Sequence, residues 1–182
     1  MKKILFVLGF VLAGQFLMAQ SKPTDVDKSP MDVSYLPANY PISKMRGQTT
    51  GEPLARVLYS RPQKKGREIF GGEVKYNEVW RLGANEATEL ELFKNATIGG
   101  KKIPKGRYSL YCIPLESKWT IVVNKDNYSW GSFTYKAEKD VARIDVPVQK
   151  TGDNVEALTM YFDNNSLIVQ WENLKVAVPF AF

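Results

Sequence analysis

From Pro53 to the C-terminus the chain is a succession of short alternating or β-branched runs, each cut off by Gly, Pro, Asn or Asp. That cadence constrains the fold more than any other feature. Ala55–Tyr59, Glu68–Phe70, Val79–Leu82, Glu89–Phe93, Ala96–Ile98, Arg107–Ile113 and Trp119–Val123 read as strands. So do Ser132–Tyr135, Val141–Val148, Glu156–Phe162, Leu167–Trp171 and Lys175–Phe180. Gly71-Gly72, Gly99-Gly100 and Asp163-Asn164-Asn165-Ser166 supply turns between them. No segment after Pro53 carries an amphipathic helical period over a useful length. The expectation is an all-β single domain over 54–182, an antiparallel β-sandwich or barrel, with a jelly-roll-like sandwich preferred.

The rest of the chain fits an exported domain. Lys2 and Lys3 precede an apolar run from Ile4 to Leu17, and Leu17-Met18-Ala19 ends it with a small residue, so residues 1–19 read as a signal peptide. The run is short for a transmembrane span, and no transmembrane segment is expected after its removal. Cleavage takes Lys2 and Lys3 from a formal net charge of +6, leaving +4. Cys112 is the single cysteine, so no internal disulfide can form, and no cysteine follows the cleavage point to accept lipid. A periplasmic or extracellular location without a lipid anchor follows as the expectation. Stability must come from a core, and about 160 residues suffice for one. Cys112, in phase with Tyr108 and Leu110, is expected to be a buried small hydrophobe. Residues 20–53, punctuated by five prolines, read as a tether and an irregular arm, with Met31–Ile42 packed across the domain on its aromatic residues.

The chain has no histidine. That removes Ser-His-Asp and Cys-His nucleophiles, imidazole metal sites and histidine general bases. There is no Walker-type phosphate loop, and no cofactor or metal is implied. Carboxylates, Lys, Tyr, Ser or backbone groups are left for any acid-base work.

One stretch mixes chemistries without a repeat: Tyr76 to Thr88. Alternation sends Trp80 and Leu82 to one face and Arg81 to the other, Gly83 supplies a bend, and Asn85 suits a turn. Arg81, Asn85 and Glu86 then converge at one end of a sheet. Either Arg81 pairs with Glu86 while Asn85 closes the turn, or the three face a ligand. Trp130 lies in a polar loop, Asn124 to Gly131, as a stacking platform for a sugar ring or a lid over the core. Glu89 and Glu91 share a strand face about 7 Å apart, a carboxyl separation used in sugar hydrolysis but also that of any solvated strand. Asp163-Asn164-Asn165 lacks the spacing of a calcium loop. The basic loop Arg61–Arg67 reads as solvated, or as a contact for an anionic envelope polymer; nucleic acid is not expected.

A longer set of motifs carries a resemblance. Gly66-Arg67-Glu68-Ile69-Phe70-Gly71-Gly72, Val79 to Thr88, Thr97-Ile98-Gly99-Gly100-Lys101 and Gly106-Arg107-Tyr108-Ser109-Leu110 come in order, followed by Trp119-Thr120-Ile121-Val122, Asn124-Lys125-Asp126, Trp130-Gly131 and Trp171-Glu172-Asn173. From about Ser29 onward the chain resembles the secreted bacterial domain of unknown function twenty-nine-eleven, found mainly in envelope-bearing bacteria of the Bacteroidetes type. The resemblance implies a single exported domain with no established activity and no catalytic residues to carry over.

The residues themselves lead to three expectations. The first is a non-catalytic domain binding a polar ligand, a glycan or envelope component, through Trp80, Arg81, Asn85, Glu86 and Trp130. The second is a carboxylate-dependent hydrolase using Glu86 with a second acid, and the third a structural or protein-interaction domain of the envelope.

Overall fold

The computed structural model describes residues 25–182; the expected signal peptide lies outside the described residues. Two antiparallel sheets face each other. The larger has six strands in the order β1-β2-β3-β6-β7-β8, and the smaller has four in the order β5-β4-β10-β9. The strands are β1 (Met31–Leu36), β2 (Ala55–Ser60), β3 (Thr88–Leu92), β4 (Ala96–Ile98), β5 (Lys101–Ile103), β6 (Gly106–Pro114), β7 (Lys118–Asn124), β8 (Asp140–Pro147), β9 (Gln149–Asp163) and β10 (Ser166–Ala181). The chain is the all-β sandwich its turn cadence indicated. Successive strands mostly stay in one sheet as hairpins before crossing over, a simpler connectivity than the near-strict alternation of a jelly roll.

Inward-facing side chains of both sheets form one core. Val57, Leu90, Leu92, Trp119, Ile121 and Val123 come from the large sheet, and Leu158, Val169, Trp171, Val176 and Val178 from the small one, all nearly sealed from solvent. Burial alternates with period two along β3 and β8, which the pleat requires when one face is covered. The β9–β10 hairpin turns at Asn164 and Asn165, both with positive φ, where asparagine is among the few tolerated side chains.

Several expected strands take other forms, and each has a physical cause. Met31–Leu36 is an edge strand paired with β2 over its whole length and not an irregular arm. Its pattern shows little contrast because neither of its faces is fully covered. Tyr40–Met45 forms helix α1, too short to display a period, with a proline in its first turn. Glu68–Phe70, Val79–Leu82 and Ser132–Tyr135 are turns and isolated bridges. Ile69, Phe70, Trp80 and Leu82 are buried all the same, so their apolar character fills space between the sheets without extending either one. Leu167–Trp171 and Lys175–Phe180 are one strand, β10, interrupted by a bulge at Glu172, whose φ is +52°.

The sheets also meet along one side. Past β2 the chain continues beside β9: Leu158 N–H donates to Pro62 O at 3.0 Å, Lys64 N–H to Glu156 O at 2.7 Å, and Gln63 bridges Ala157. Arg61 closes this seam with three donors, Nε to Leu158 O (3.2 Å), Nη1 to Asp32 Oδ2 (3.1 Å) and Nη2 to Thr159 Oγ1 (3.0 Å). Phe162 N–H reaches Ser34 Oγ at 3.2 Å.

A third, partial layer lies over the outer face of the large sheet. Tyr111 and Val122 point away from the main core yet are buried, because the loop 125–139 folds back across them. Tyr135 packs edge-on against Tyr111 with centroids 5.0 Å apart. Its hydroxyl donates to Asp140, which also accepts from Asn124 Nδ2 (2.7 Å) and Arg143 Nε (2.8 Å). The loop is pinned at its base while Tyr128, Trp130 and Phe133 stand exposed at 79%, 60% and 85%.

Candidate functional site

The site is built on four aromatic rings in the centre of the sandwich. Trp80 stacks on Trp171 at 6.0 Å and meets Trp119 edge to face at 6.1 Å; Phe70 touches Trp119 at 4.8 Å. Trp80 is fixed through its backbone, which exchanges bonds of 2.7 and 2.8 Å with Cys112, and through Nε1, which donates to Gly83 O at 3.1 Å. Beyond it the chain reverses. The left-handed residues of this reversal are Leu82 (φ +56°) and Asn85 (φ +58°) and not Gly83. Gly83 is required for room: a Cβ there would lie 2.9 Å from Ser60 Oγ, which accepts from Ala84 N–H (2.6 Å) and donates to Ala84 O (2.5 Å). Thr88 Oγ1 caps the turn by donating to Leu82 O at 2.7 Å.

This geometry leaves Arg81 on the outside of the aromatic cluster, half-buried and without a counter-charge. Its Nε is buried with no hydrogen-bond partner, and no carboxylate lies within ion-pair distance of it among the described residues. Burial lowers the pKa of its guanidinium. Two adjoining cavities share it. One of about 200 Å³ is lined by Trp80, Trp171, Val74, Arg67 and Glu73 among others, and one of about 120 Å³ by Lys75, Glu78, Val79 and Ser132. Arg67 and Glu73 pair at 2.9 Å on the rim, and Arg67 is further fixed by donating to Gln63 O and Lys64 O. Lys64 pairs with Glu172 at 2.7 Å, and Glu172 Oε2 accepts from Ile69 N–H at 3.3 Å, tying the Gly66–Gly72 loop to the bulge of β10.

The separate stretches Gly66–Gly72, Val79–Thr88, Trp130-Gly131 and Trp171–Asn173 therefore meet around one place. The profile of a family described as Protein of unknown function (DUF2911) matches residues 41–180. The chain belongs to this family. No curated protein and no solved structure gives a significant match.

Of the residues expected at the site of this DUF2911 domain, Trp80 and Arg81 line the cavities. Asn85, Glu86 and Trp130 line neither. Asn85 contributes its carbonyl, which accepts from Gly131 N–H at 2.8 Å, and Glu86 bridges Trp130 through the backbone with its side chain exposed. The Arg81–Glu86 pair is not formed, because the two left-handed turns between them carry Glu86 round to the loop at Trp130. Trp130, largely exposed, is not a lid over the core.

Glu73, Trp171 and Ser132 were not singled out as site residues from the sequence, and Arg67 only as part of the basic loop Arg61–Arg67. Arg67 and Trp171 fall within motifs that carry the resemblance, which was the available signal; Glu73 and Ser132 had none.

The two carboxylates of β3 are neutralised. Glu91 sits between Arg56 (2.6 Å) and Arg107 (3.3 Å), and Glu89 faces Arg107 at 3.4 Å, so the strand-face pair forms a charge ladder. Among the described residues no group of three or more acidic, Cys or His side chains could hold a metal ion, and no helix is long and apolar enough to cross a membrane. Cys112 is fully enclosed and its thiol is pushed well above its ordinary pKa by burial. Tyr59 is pushed up to about 12, first by burial, and its hydroxyl donates to Met160 O at 3.0 Å.

Proposed function

We propose that this domain is an exported, non-catalytic binding module for a polar ligand of glycan or envelope origin, which presents an anionic group to Arg81. The observation that carries the reading is the unpaired guanidinium at the junction of two cavities. A half-buried cation without a partner costs stability, and a chain that keeps one in a concave, water-accessible place beside two indoles has a use for it there. The ligand's anion supplies the missing charge, and Trp80 with Trp171 supplies an apolar wall. Export is supported by Lys2, Lys3 and the apolar run that follows them.

Thermal unfolding of the mature chain in rising sodium acetate or phosphate, at constant ionic strength set with chloride, tests the reading. Binding to the folded state raises the midpoint by mass action, and the rise disappears in Arg81→Met. A midpoint that does not respond, or that responds equally in Arg81→Met, removes Arg81 as the anion site.

A further inference from the structure

Gly131 is buried beside Arg81, and its surroundings extend the site. A Cβ built on it would stand 2.9 Å from Cδ2 and Cε2 of Phe133 and 3.9 Å from Cδ of Arg81. The Phe133 ring and the Arg81 side chain therefore flank the same backbone point, with a φ of +68° and no side chain between them. Ser132, between Gly131 and Phe133 in sequence, lines the smaller cavity together with Arg81. Phe133 is 85% exposed although the base of its loop is firmly held, so its ring is displayed and not stored.

We infer that the ligand of this cavity is an acidic glycan, whose pyranose ring rests on Phe133 while its carboxylate meets Arg81. The inference depends on the anion-binding reading and adds the identity of the group that carries the anion. Charge selects the acid: Arg67 and Glu73 pair with each other, Lys75 and Glu78 bring opposite charges without an ion pair between them, and Arg81 leaves the combined lining with a net positive charge. Polarity selects a sugar over an aromatic acid. Glu73, Glu78, Lys75 and Ser132 offer acceptors and donors that ring hydroxyls satisfy, whereas an apolar ring would cover them without replacing their water. A ring with axial C–H groups on one face and hydroxyls at its edge suits an exposed phenyl beside such a rim. The two lobes are small, so one sugar unit of a longer polymer engages.

The test is calorimetric titration of the full mature chain with three probes: a uronic-acid trisaccharide, the neutral hexose trisaccharide of the same linkage, and sodium acetate. The uronate trimer is expected to bind about five- to tenfold more tightly than acetate, the gain that one aromatic stacking contact supplies, and more tightly than the neutral trimer, which offers Arg81 no charge. Phe133→Ala, whose unfolding midpoint should be unchanged, loses that gain and keeps acetate binding; Arg81→Met loses both. Equal binding of acetate and uronate, or a Phe133→Ala protein that still prefers uronate to acetate by the same factor, overturns the sugar assignment and leaves the anion site standing. A neutral trimer that binds as tightly as the uronate also overturns it. If neither acetate nor uronate binds, the sugar assignment and the anion site fall together.

Discussion

Arginines at 61 and 81 have similar partial burial and opposite circumstances, so substituting methionine for each gives opposite signs of stability change. Met keeps the unbranched stem, and at position 81 the stem still packs on Gly131. What Arg81→Met removes is a buried Nε–H with no partner and a charge with no counter-charge. Leaving a buried donor unsatisfied costs about 1–3 kcal/mol. The rest of the guanidinium keeps some water, which reduces the expected gain from its removal to about 0.5–2 kcal/mol. Arg61→Met instead deprives Leu158 O, Asp32 and Thr159 of donors at 3.0–3.2 Å and opens the seam between the sheets. That substitution should cost about 2–4 kcal/mol. Urea unfolding followed by tryptophan fluorescence reads both changes as midpoint shifts at an unchanged slope. If Arg81→Met loses 1 kcal/mol or more, on the scale of a single missing hydrogen bond, Arg81 has a structural partner and the argument for an unmet charge collapses.

Gly83→Ala brings a methyl group against Ser60 Oγ and disturbs both bonds from that hydroxyl to Ala84, costing about 1–3 kcal/mol; adding Ser60→Ala should recover part of the loss, and strict additivity in urea unfolding would contradict the contact. Tyr59 has a folded pKa of about 12 against an ordinary 10, so its stabilisation is complete below pH 10 and is lost as pH rises through 12. That loss is about 2–3 kcal/mol, and Tyr59→Phe should shrink the fall in stability between those limits; an identical fall in both proteins rules this out. Cys112, enclosed with a raised pKa, should react with a thiol reagent no faster than the protein unfolds, and rapid labelling of the native chain would show the bridge between Trp80 and Cys112 to be open.

Strands whose two faces differ in burial were readable from the sequence: β3 and β8 alternate, and Gly99-Gly100 and Asn164-Asn165 turn where expected. Edge strand β1 was not, since a strip that is half-solvated on both faces has no contrast to read. Phe70 and Trp80 misled in the other direction. Their apolar neighbours suggest strands, but they fill the space between sheets from looped backbone, and only the tertiary arrangement shows that. At the site, Arg81 was found because a cation between Trp80 and Leu82 is conspicuous on the strand pattern. Glu86 was a reasonable partner for it by proximity in sequence, yet Leu82 and Asn85 both adopt positive φ, a conformation with no signal at leucine. Phe133 was invisible for a similar reason, since its place beside Arg81 depends on a loop crossing the outer face of a sheet.

The seam between β1 and β9 has a consequence for how the molecule comes into being. Ser34 and Phe162 are 128 residues apart in the chain, and their bond is among the ties that shut one flank of the sandwich. A polypeptide emerging in order from its N-terminus has all six strands of the larger sheet before it has β9 and β10 to cover them. Until β9 arrives, the apolar underside of the larger sheet has no cover on that flank, so fragments ending before Asp163 should stay open and prone to clump. The final hairpin is thus the piece whose arrival lets the two sheets close on each other.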